Sequence, residues 1–355
     1  MNVILDHSVF SLQMQGGISR WWKHHCLSLA KYNLHYHHTN YCRVNNPHAA
    51  ALLDVLPISC QSGHIDKLWP IRRVSVPKAE SPSIFHSSYF RLPERNKGIR
   101  TVVTFHDNTA LNKISLGSIT RKLIFGRCLS QADGIHCISQ TSKKQLLETF
   151  PHLSDRRIEV IHHGMSFPNA KPSRPNLSSN NKPYILFVGP RSNYKKGSVA
   201  LEAISKLDDF RLIFCGGGPP SSKEWEYVLE NSLEERVQFL GPVSDSNLVW
   251  LYKNAFVLWF PSTSEGFGFP SLEAAACGCP VLAQNGHAVE EICGDWILST
   301  DLVSPDWLIR ETKSLSTDSE RYKTLCDAGP QLAAQYSWES YARSMKHFYE
   351  NIINI

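Results

Sequence analysis

The sequence predicts an α/β protein built from two Rossmann-like domains, each with a mainly parallel sheet. Three observations carry this. Short apolar runs alternate with helical stretches through both halves of the 355-residue chain. A segment rich in Pro, Asn and Ser, residues 168–183, interrupts the alternation and has almost no large apolar residue. Glycines and charged residues follow the predicted strands, where open parallel sheets hold their ligands. The expected organisation is an N-terminal domain over 1–167, a linker over 168–183, a C-terminal domain over 184–335 and a final helix over 336–355.

In the first half, Asn2–Asp6 reads as a short apolar strand. Gly16 and Gly17 then lead into a helix through Trp21 and Trp22 to about Ala30. A glycine pair between a first strand and a first helix lets backbone approach a phosphate, although such pairs also make plain turns. Residues 35–40 form the next strand, and 42–80 read as irregular with basic clusters at Lys67, Arg72 and Arg73. Ser83–His86 and Thr101–Phe105 are further strands, the second running straight into His106. A helix over 119–131, a strand over 134–139 and a helix over 141–149 follow, and residues 159–164 close this half.

After the linker, strands are expected at Tyr184–Val188, Arg211–Cys215, Val237–Leu240, Ala255–Phe260 and Pro280–Ala283. Helices are expected from Ser198 to Leu207, Glu224 to Asn231, Asp245 to Asn254, and through three stretches from Asp306 to the end. The richest segment is Pro261–Ala283. Glu265 precedes the alternation Gly266, Phe267, Gly268, Phe269. Pro270 suits a first helical turn, where its missing N–H costs nothing. Glu273 reads as lying in that first turn.

The composition is that of a globular protein, 42% hydrophobic and 19% charged, with no apolar run near membrane-span length and no signal-peptide pattern at the start. Ten scattered cysteines without a C-x-x-C read as reduced thiols, which places the chain in the cytoplasm. Charge is uneven. Residues 1–170 hold 20 Lys and Arg against 10 Asp and Glu, and the rest hold 17 against 22. A basic half suits a phosphorylated substrate, an anionic membrane surface or no partner at all. No zinc finger, RNP strand or helix-turn-helix supports nucleic acid. The histidines fall at no metal-ligand spacing, and none is expected to hold a metal.

A diphosphate with sugars attached would suit these residues. Arg191 and Lys195 supply positive charge after a strand, and helix N-termini add N–H donors. Carboxylates at Glu265 and Glu273 suit hydroxyls: Glu273 those of a ribose, Glu265 those of a second sugar. Charge growing on a leaving phosphate would be met by Arg191 and Lys195. The backbone at residues 241–243 would meet the base.

Glu265 to Glu273 with the following Ala, Gly and Pro-Val pattern resembles the E-x7-E signature of retaining GT-B glycosyltransferases of family 4. Residues 16–20 (GGISR), 104–107 (TFHD), 188–195 (VGPRSNYK) and 337–339 (SWE) agree in order, so the resemblance covers nearly the whole chain. It looks most like bacterial mannosyltransferases of surface-polysaccharide and lipopolysaccharide synthesis. The resemblance implies a GT-B fold, with the two domains facing across a cleft and the last helix packing back on the first domain. It implies retention, no metal and no cofactor beyond a nucleotide-sugar co-substrate, GDP-mannose being the first choice. Gly16 and Gly17 would approach the donor phosphate, and His106 would sit by the sugar. Arg191 and Lys195 would hold the diphosphate. Glu265 and residues Gly266 to Phe269 would cradle the sugar, and Glu273 the ribose. Lys196, next to Gly197, competes with Lys195 for its role. The implied acceptor is a saccharide or a lipid-diphosphate-linked saccharide, with peripheral contact at the inner membrane face. Two other readings stay open: a nucleotide-sugar epimerase of the same fold, and a non-catalytic nucleotide-sugar or glycan-binding protein.

Overall fold

A computed structural model describes residues 1–12, 16–32, 35–39, 46–53, 55, 72–76, 81–95, 98–109, 111, 116–165 and 171–354. The described chain divides into two compact units, Met1–Gly164 with Ser337–Ile355, and Met165–Tyr336.

The N-terminal unit runs β1 (Asn2–Asp6), α1 (Val9–Leu12), α2 (Gly17–Leu29), β2 (His35–Thr39), α3 (Pro47–Leu53), β3 (Ser83–Ser87), β4 (Ile99–Phe105), α4 (Leu116–Gln131), β5 (Gly134–Cys137), α5 (Gln140–Thr149) and β6 (Ile158–Val160). Its strands pair in the order β2-β1-β3-β4-β5-β6, every pair parallel. Strands β3 and β5 are buried along their whole length, and with them the polar side chains of Ser83, His86, Ser87 and His136. Helix α3 corrects the reading of 42–80 as irregular; Asn46 accepts from the backbone of His48 and Ala49 and starts it. Lys67 lies outside the described residues.

The C-terminal unit runs β7 (Tyr184–Val188), α6 (Gly197–Ser205), β8 (Arg211–Cys215), α7 (Ser222–Glu230), β9 (Val237–Gly241), α8 (Asp245–Asn254), β10 (Val257–Phe260), α9 (Phe269–Ala276), β11 (Val281–Gln284), α10 (Ala288–Cys293), β12 (Leu298–Thr300), α11 (Pro305–Thr317) and α12 (Ser319–Ala334). Its sheet is β12-β11-β10-β7-β8-β9, again all parallel. The strand order reverses between β7 and β10. Elements α10 and β12 were not foreseen: one is a helix of six residues and the other a strand of three, too short for a periodic pattern. Of the Pro- and Asn-rich stretch, 168–170 lie outside the described residues. Residues 171–183 hold no regular element, but they are tied to this unit. Asn180 donates to the Glu235 carbonyl at 3.0 Å, and Lys182 Nζ to that of Asp208 at 2.7 Å.

The last helix, α13 (Trp338–Ile353), belongs to the N-terminal unit. Its buried face, Tyr341, Met345, Phe348, Tyr349 and Ile352, follows helical spacing and packs with Trp21, Trp22 and the β-sheet. Two of these residues enter a chain of buried hydrogen bonds. Ile161 carbonyl lies 2.8 Å from His136 Nε2, and His136 Nδ1 lies 3.0 Å from Thr104 Oγ1. Thr104 Oγ1 meets His86 Nε2 at 2.8 Å, and His86 Nδ1 meets Tyr349 Oη at 2.5 Å. Tyr349 Oη is 3.3 Å from His25 Nε2, whose Nδ1 is 2.7 Å from Tyr341 Oη. Trp21 Nε1 closes the chain on Tyr341 Oη at 3.2 Å.

The ends of this chain fix every proton in it. The Ile161 carbonyl can only accept, so His136 Nε2 donates to it. With neutral rings, each following group must then donate in turn. The last bond comes from Trp21 Nε1, which can only donate. Burial holds the three rings neutral: it lowers His136 to about 4 and pushes His25 and His86 well below the usual range.

These histidines bind protons in the unfolded chain below about pH 6.5 but not in the folded one. Stability from the chain is therefore complete above that pH and is lost as pH falls toward 4. Denaturant unfolding followed by tryptophan fluorescence at pH 7.5, 6.5 and 5.5 should show a monotonic loss over this window. Tyr349→Phe removes one link and should cost about 1–3 kcal/mol at pH 7.5.

Candidate active site

The reversal of strand order between β7 and β10 leaves a crevice at the carboxyl edge of the C-terminal sheet. The loops leaving these two strands are tied together, with Thr263 N donating to the Tyr194 carbonyl at 2.8 Å. Lys195 comes from the first loop and Glu265 from the second. Lys195 Nζ lies 2.5 Å from Glu265 Oε1 and 4.6 Å from the centre of the Phe260 ring. The lysine is only 6% exposed, so this is a partly desolvated ion pair on an aromatic floor. Its neighbour Lys196 is the N-cap of α6, with a left-handed backbone at φ 56°.

Arg191 turns the other way, toward β8 and β9. Its Nε donates to Glu224 Oε1 at 2.7 Å, and its NH2 donates to the carbonyls of Gly218 and Pro219 at 3.0 and 2.9 Å. The guanidinium lies over Phe239 at 4.9 Å. Its remaining nitrogen, NH1, is buried without a hydrogen-bond partner among the described residues. Burial works to raise the Glu224 carboxyl, but the bonds from Arg191 and Ser221 overcome it and the pKa is lowered. Gly197 makes the arrangement possible: a Cβ there would stand 2.5 Å from Arg191 Cβ. Arg191 and Lys195, both expected to hold the diphosphate, thus rest on different sides of β7, over Phe239 of β9 and Phe260 of β10.

Gly268 is the N-cap of α9 at φ 84°, and a Cβ on it would meet Val289 Cγ2 at 2.6 Å, so only glycine fits twice over. Pro270 does stand in the first turn. Glu273 does not: α9 starts at Phe269, which places it at the start of the second turn, a correction to its expected position. Glu273 is 3% exposed and accepts from Tyr252 Oη at 3.0 Å through Oε2. Phe267 is buried and packs on Phe269 at 5.0 Å, and Gly266 is buried beside it.

In the N-terminal unit, Gly16 is the N-cap of α2 in extended backbone, and α2 begins at Gly17. A side chain at Gly17 would meet nothing within 4 Å, so that surface is open. His106 follows β4, is 8% exposed, and meets Trp21 edge-on at 4.7 Å. Its Nε2 has no hydrogen-bond partner among the described residues, and burial lowers its pKa to about 3. The ring is neutral at ordinary pH.

Three residues at the C-terminal site were missed. Glu224 had a signal: Ser221 to Glu224 is a capping box at the start of α7, directly after the glycines that follow β8. Tyr252 carried none. His287 follows β11 and its Nε2 lies 2.7 Å from the Ser262 carbonyl. Among the described residues no group of three or more metal-ligating side chains comes together. No described helix is long and apolar enough to cross a membrane. A cavity of about 320 Å³ near Ser178, Arg211 and Val237 lies at the amino ends of β8 and β9, away from every residue above.

Two parallel-sheet units with charged loops at a switch point define a GT-B architecture. The model of Glycosyltransferase Family 4 matches residues 16–166, and that of Glycosyl transferases group 1 matches residues 170–331. The chain thus belongs to the glycosyltransferases of the GT-B type. It is 29% identical over 286 residues to an uncharacterized glycosyltransferase of Methanocaldococcus jannaschii, covering 78% of this chain and 77% of that one. It is 29% identical over 274 residues to the O-antigen chain mannosyltransferase B of Escherichia coli, covering 72% and 71%. Among solved structures, sucrose-phosphate synthase from Thermosynechococcus elongatus superposes with a TM-score of 0.76 at 20% identity, over 100% of this chain and 99% of that one.

The Lys195–Glu265 pair should behave as one unit. Glu265→Gln and Lys195→Met each leave a buried charge unmatched and should cost about 3 kcal/mol in denaturant unfolding. The double variant should cost clearly less than the sum, and simple additivity would show that the pair is not coupled.

Proposed function

We propose that the chain transfers a hexosyl group, with mannose as first choice, from a nucleoside-diphosphate sugar to a saccharide acceptor, retaining the anomeric configuration. The observation that carries this reading is the Lys195–Glu265 pair at the switch point of the C-terminal sheet. The likeness to the O-antigen chain mannosyltransferase B supports mannose, and with it GDP-mannose as donor.

In this reading the diphosphate lies over the glycine loops after β7 and β8. Lys195 Nζ and the uncommitted NH1 of Arg191 border those loops: a Cβ on Gly189 would stand 3.9 Å from Lys195 Nζ, and one on Gly217 3.2 Å from Arg191 NH1. As the bond from the sugar to the diphosphate breaks, charge grows on the leaving phosphate and these cations stabilise it. Positive charge from the chain itself takes the place a metal ion would otherwise fill. Lys195 rather than Lys196 has this role, because its amine is the one held against Glu265. Glu265 accepts hydroxyls of the sugar, with the Gly266 to Phe269 backbone beneath it, and Glu273 accepts from the ribose. With its charge neutralised by Lys195, Glu265 is a weak nucleophile. That favours retention by attack on the face the diphosphate leaves, with no covalent sugar on the enzyme. His106, Gly16 and the open backbone at Gly17 serve as substrate contacts of the N-terminal unit. The basic first half suits an anionic acceptor, such as a lipid-diphosphate-linked saccharide at a membrane face.

A thermal-shift panel of GDP-mannose, UDP-glucose, UDP-N-acetylglucosamine and dTDP-glucose should single out one donor, GDP-mannose first. With that donor, Glu265→Ala and Lys195→Ala should lower transfer a hundredfold or more, on the order of losing one charge-stabilising group. Excess EDTA should leave the native rate unchanged, and the product should keep the donor's anomer by NMR. Native turnover in the Glu265→Ala variant would refute the site. Turnover of the donor to a second nucleotide-sugar without acceptor would turn the reading to an epimerase.

A further inference from the structure

His287 stands in the loop after β11, at the N-cap of α10, and is 6% exposed. Its side chain does not cap that helix. It points instead to the loop after β10, where its Nε2 lies 2.7 Å from the Ser262 carbonyl oxygen. A carbonyl can only accept, so Nε2 carries the proton. Burial lowers the pKa of the ring. Glu265 and Glu290 work to raise it and Lys195 to lower it further, and the net direction is down. The ring is therefore neutral, and its Nδ1 is a lone-pair acceptor. That atom is buried and has no hydrogen-bond partner among the described residues. Leaving a buried acceptor unmatched is unfavourable, and such positions call for a partner.

The loop is held on its other side as well. Gly286 N donates to Glu290 Oε2 at 2.9 Å, and Val289 lies against Gly268 of the sugar-side loop. The acceptor is thus fixed beside the β10 loop, within electrostatic reach of both Glu265 and Lys195. A lone pair cannot bond a phosphate oxygen or a carbonyl. It selects O–H or N–H. In the part of a nucleotide-sugar that the diphosphate separates from the base, the only plentiful O–H groups are those of the transferred sugar.

We propose that His287 is a donor-sugar binding residue, whose Nδ1 accepts a hydrogen bond from a hydroxyl of the transferred sugar. This rests on the nucleotide-sugar reading above and names a contact within it. The residue would act on sugar recognition and leave the nucleotide half untouched.

His287→Gln tests this, because the Gln amide can still donate to Ser262 while no acceptor remains at the Nδ1 position. His287→Asn is the converse: it keeps an acceptor near Nδ1 and gives up the Ser262 bond. Calorimetric titration with GDP-mannose and with GDP, and in parallel with UDP-glucose and UDP, separates sugar from nucleotide. The expected result for His287→Gln is an affinity for the sugar-bearing ligand about tenfold weaker, the size of one hydrogen bond, with the free diphosphate bound as before. His287→Asn should lose less. Sugar binding at native strength in a folded His287→Gln overturns the proposal and leaves the nucleotide-sugar reading standing. Equal weakening of both ligands also overturns it, because the residue would then shape the nucleotide site. If the native protein binds neither pair, both readings fall. Should both variants fail to fold, the native protein is titrated with deoxy-sugar donors lacking each hydroxyl in turn. One position should cost about tenfold, and no loss at any position overturns the proposal.

Discussion

Where the strand order of a parallel sheet reverses, the loops leaving the two central strands turn to opposite sides and open a gap at the carboxyl edge. The C-terminal unit is organised around that gap. It lies between β7 and β10, and the Lys195–Glu265 pair spans it. A bare lysine amine or a bare carboxylate would be expensive so far from water, and each makes the other tolerable. The pair also sets what can approach. It offers positive charge toward a phosphate and acceptor oxygens toward hydroxyls, which are the two chemistries a nucleotide-sugar presents together.

Arg191 shows how the same edge divides its work. Bonded to Glu224 and two carbonyls, it is held rigid, and most of its hydrogen-bonding capacity is already engaged. Its contribution to a bound anion is one nitrogen and a net charge partly offset by Glu224. The burden of charge compensation therefore shifts toward Lys195. The asymmetry follows from chain direction: residue 191 leaves β7 on the side of β8, and residue 195 returns on the side of β10.

Much of this was legible in the sequence, for a physical reason. Strands covered on both faces are mostly apolar, so Ile185 to Phe187 or Leu212 to Phe214 announce themselves, and a polar or charged residue soon after such a run stands at the ligand edge. Glu265, Lys195, Arg191 and His106 were found that way. What was not legible depends on tertiary pairing. Nothing near position 191 tells that Glu224 will take its guanidinium, and nothing near 287 tells that the Ser262 carbonyl will fix its tautomer. Helix α9 begins one residue before the proline that marks it, enough to move Glu273 out of the first turn. The buried hydrogen-bond chain was invisible for the same reason, since it joins Trp21 to Tyr341 across 320 positions.

That chain has a consequence for how the protein comes into being. Its tyrosines reside on α13, whereas its histidines and tryptophan lie within the first 136 residues. The N-terminal unit is synthesised first and completed last. Until α13 emerges, its buried rings have lone pairs and N–H groups with no tyrosine to meet, and Trp21 and Trp22 lack their cover. The C-terminal unit, by contrast, is contiguous in sequence and whole as soon as residue 336 has been made. The N-terminal unit can therefore be completed only after the whole C-terminal unit has been synthesised. The first half waits, roughly tens of seconds at ordinary rates of synthesis, for the last helix to close it.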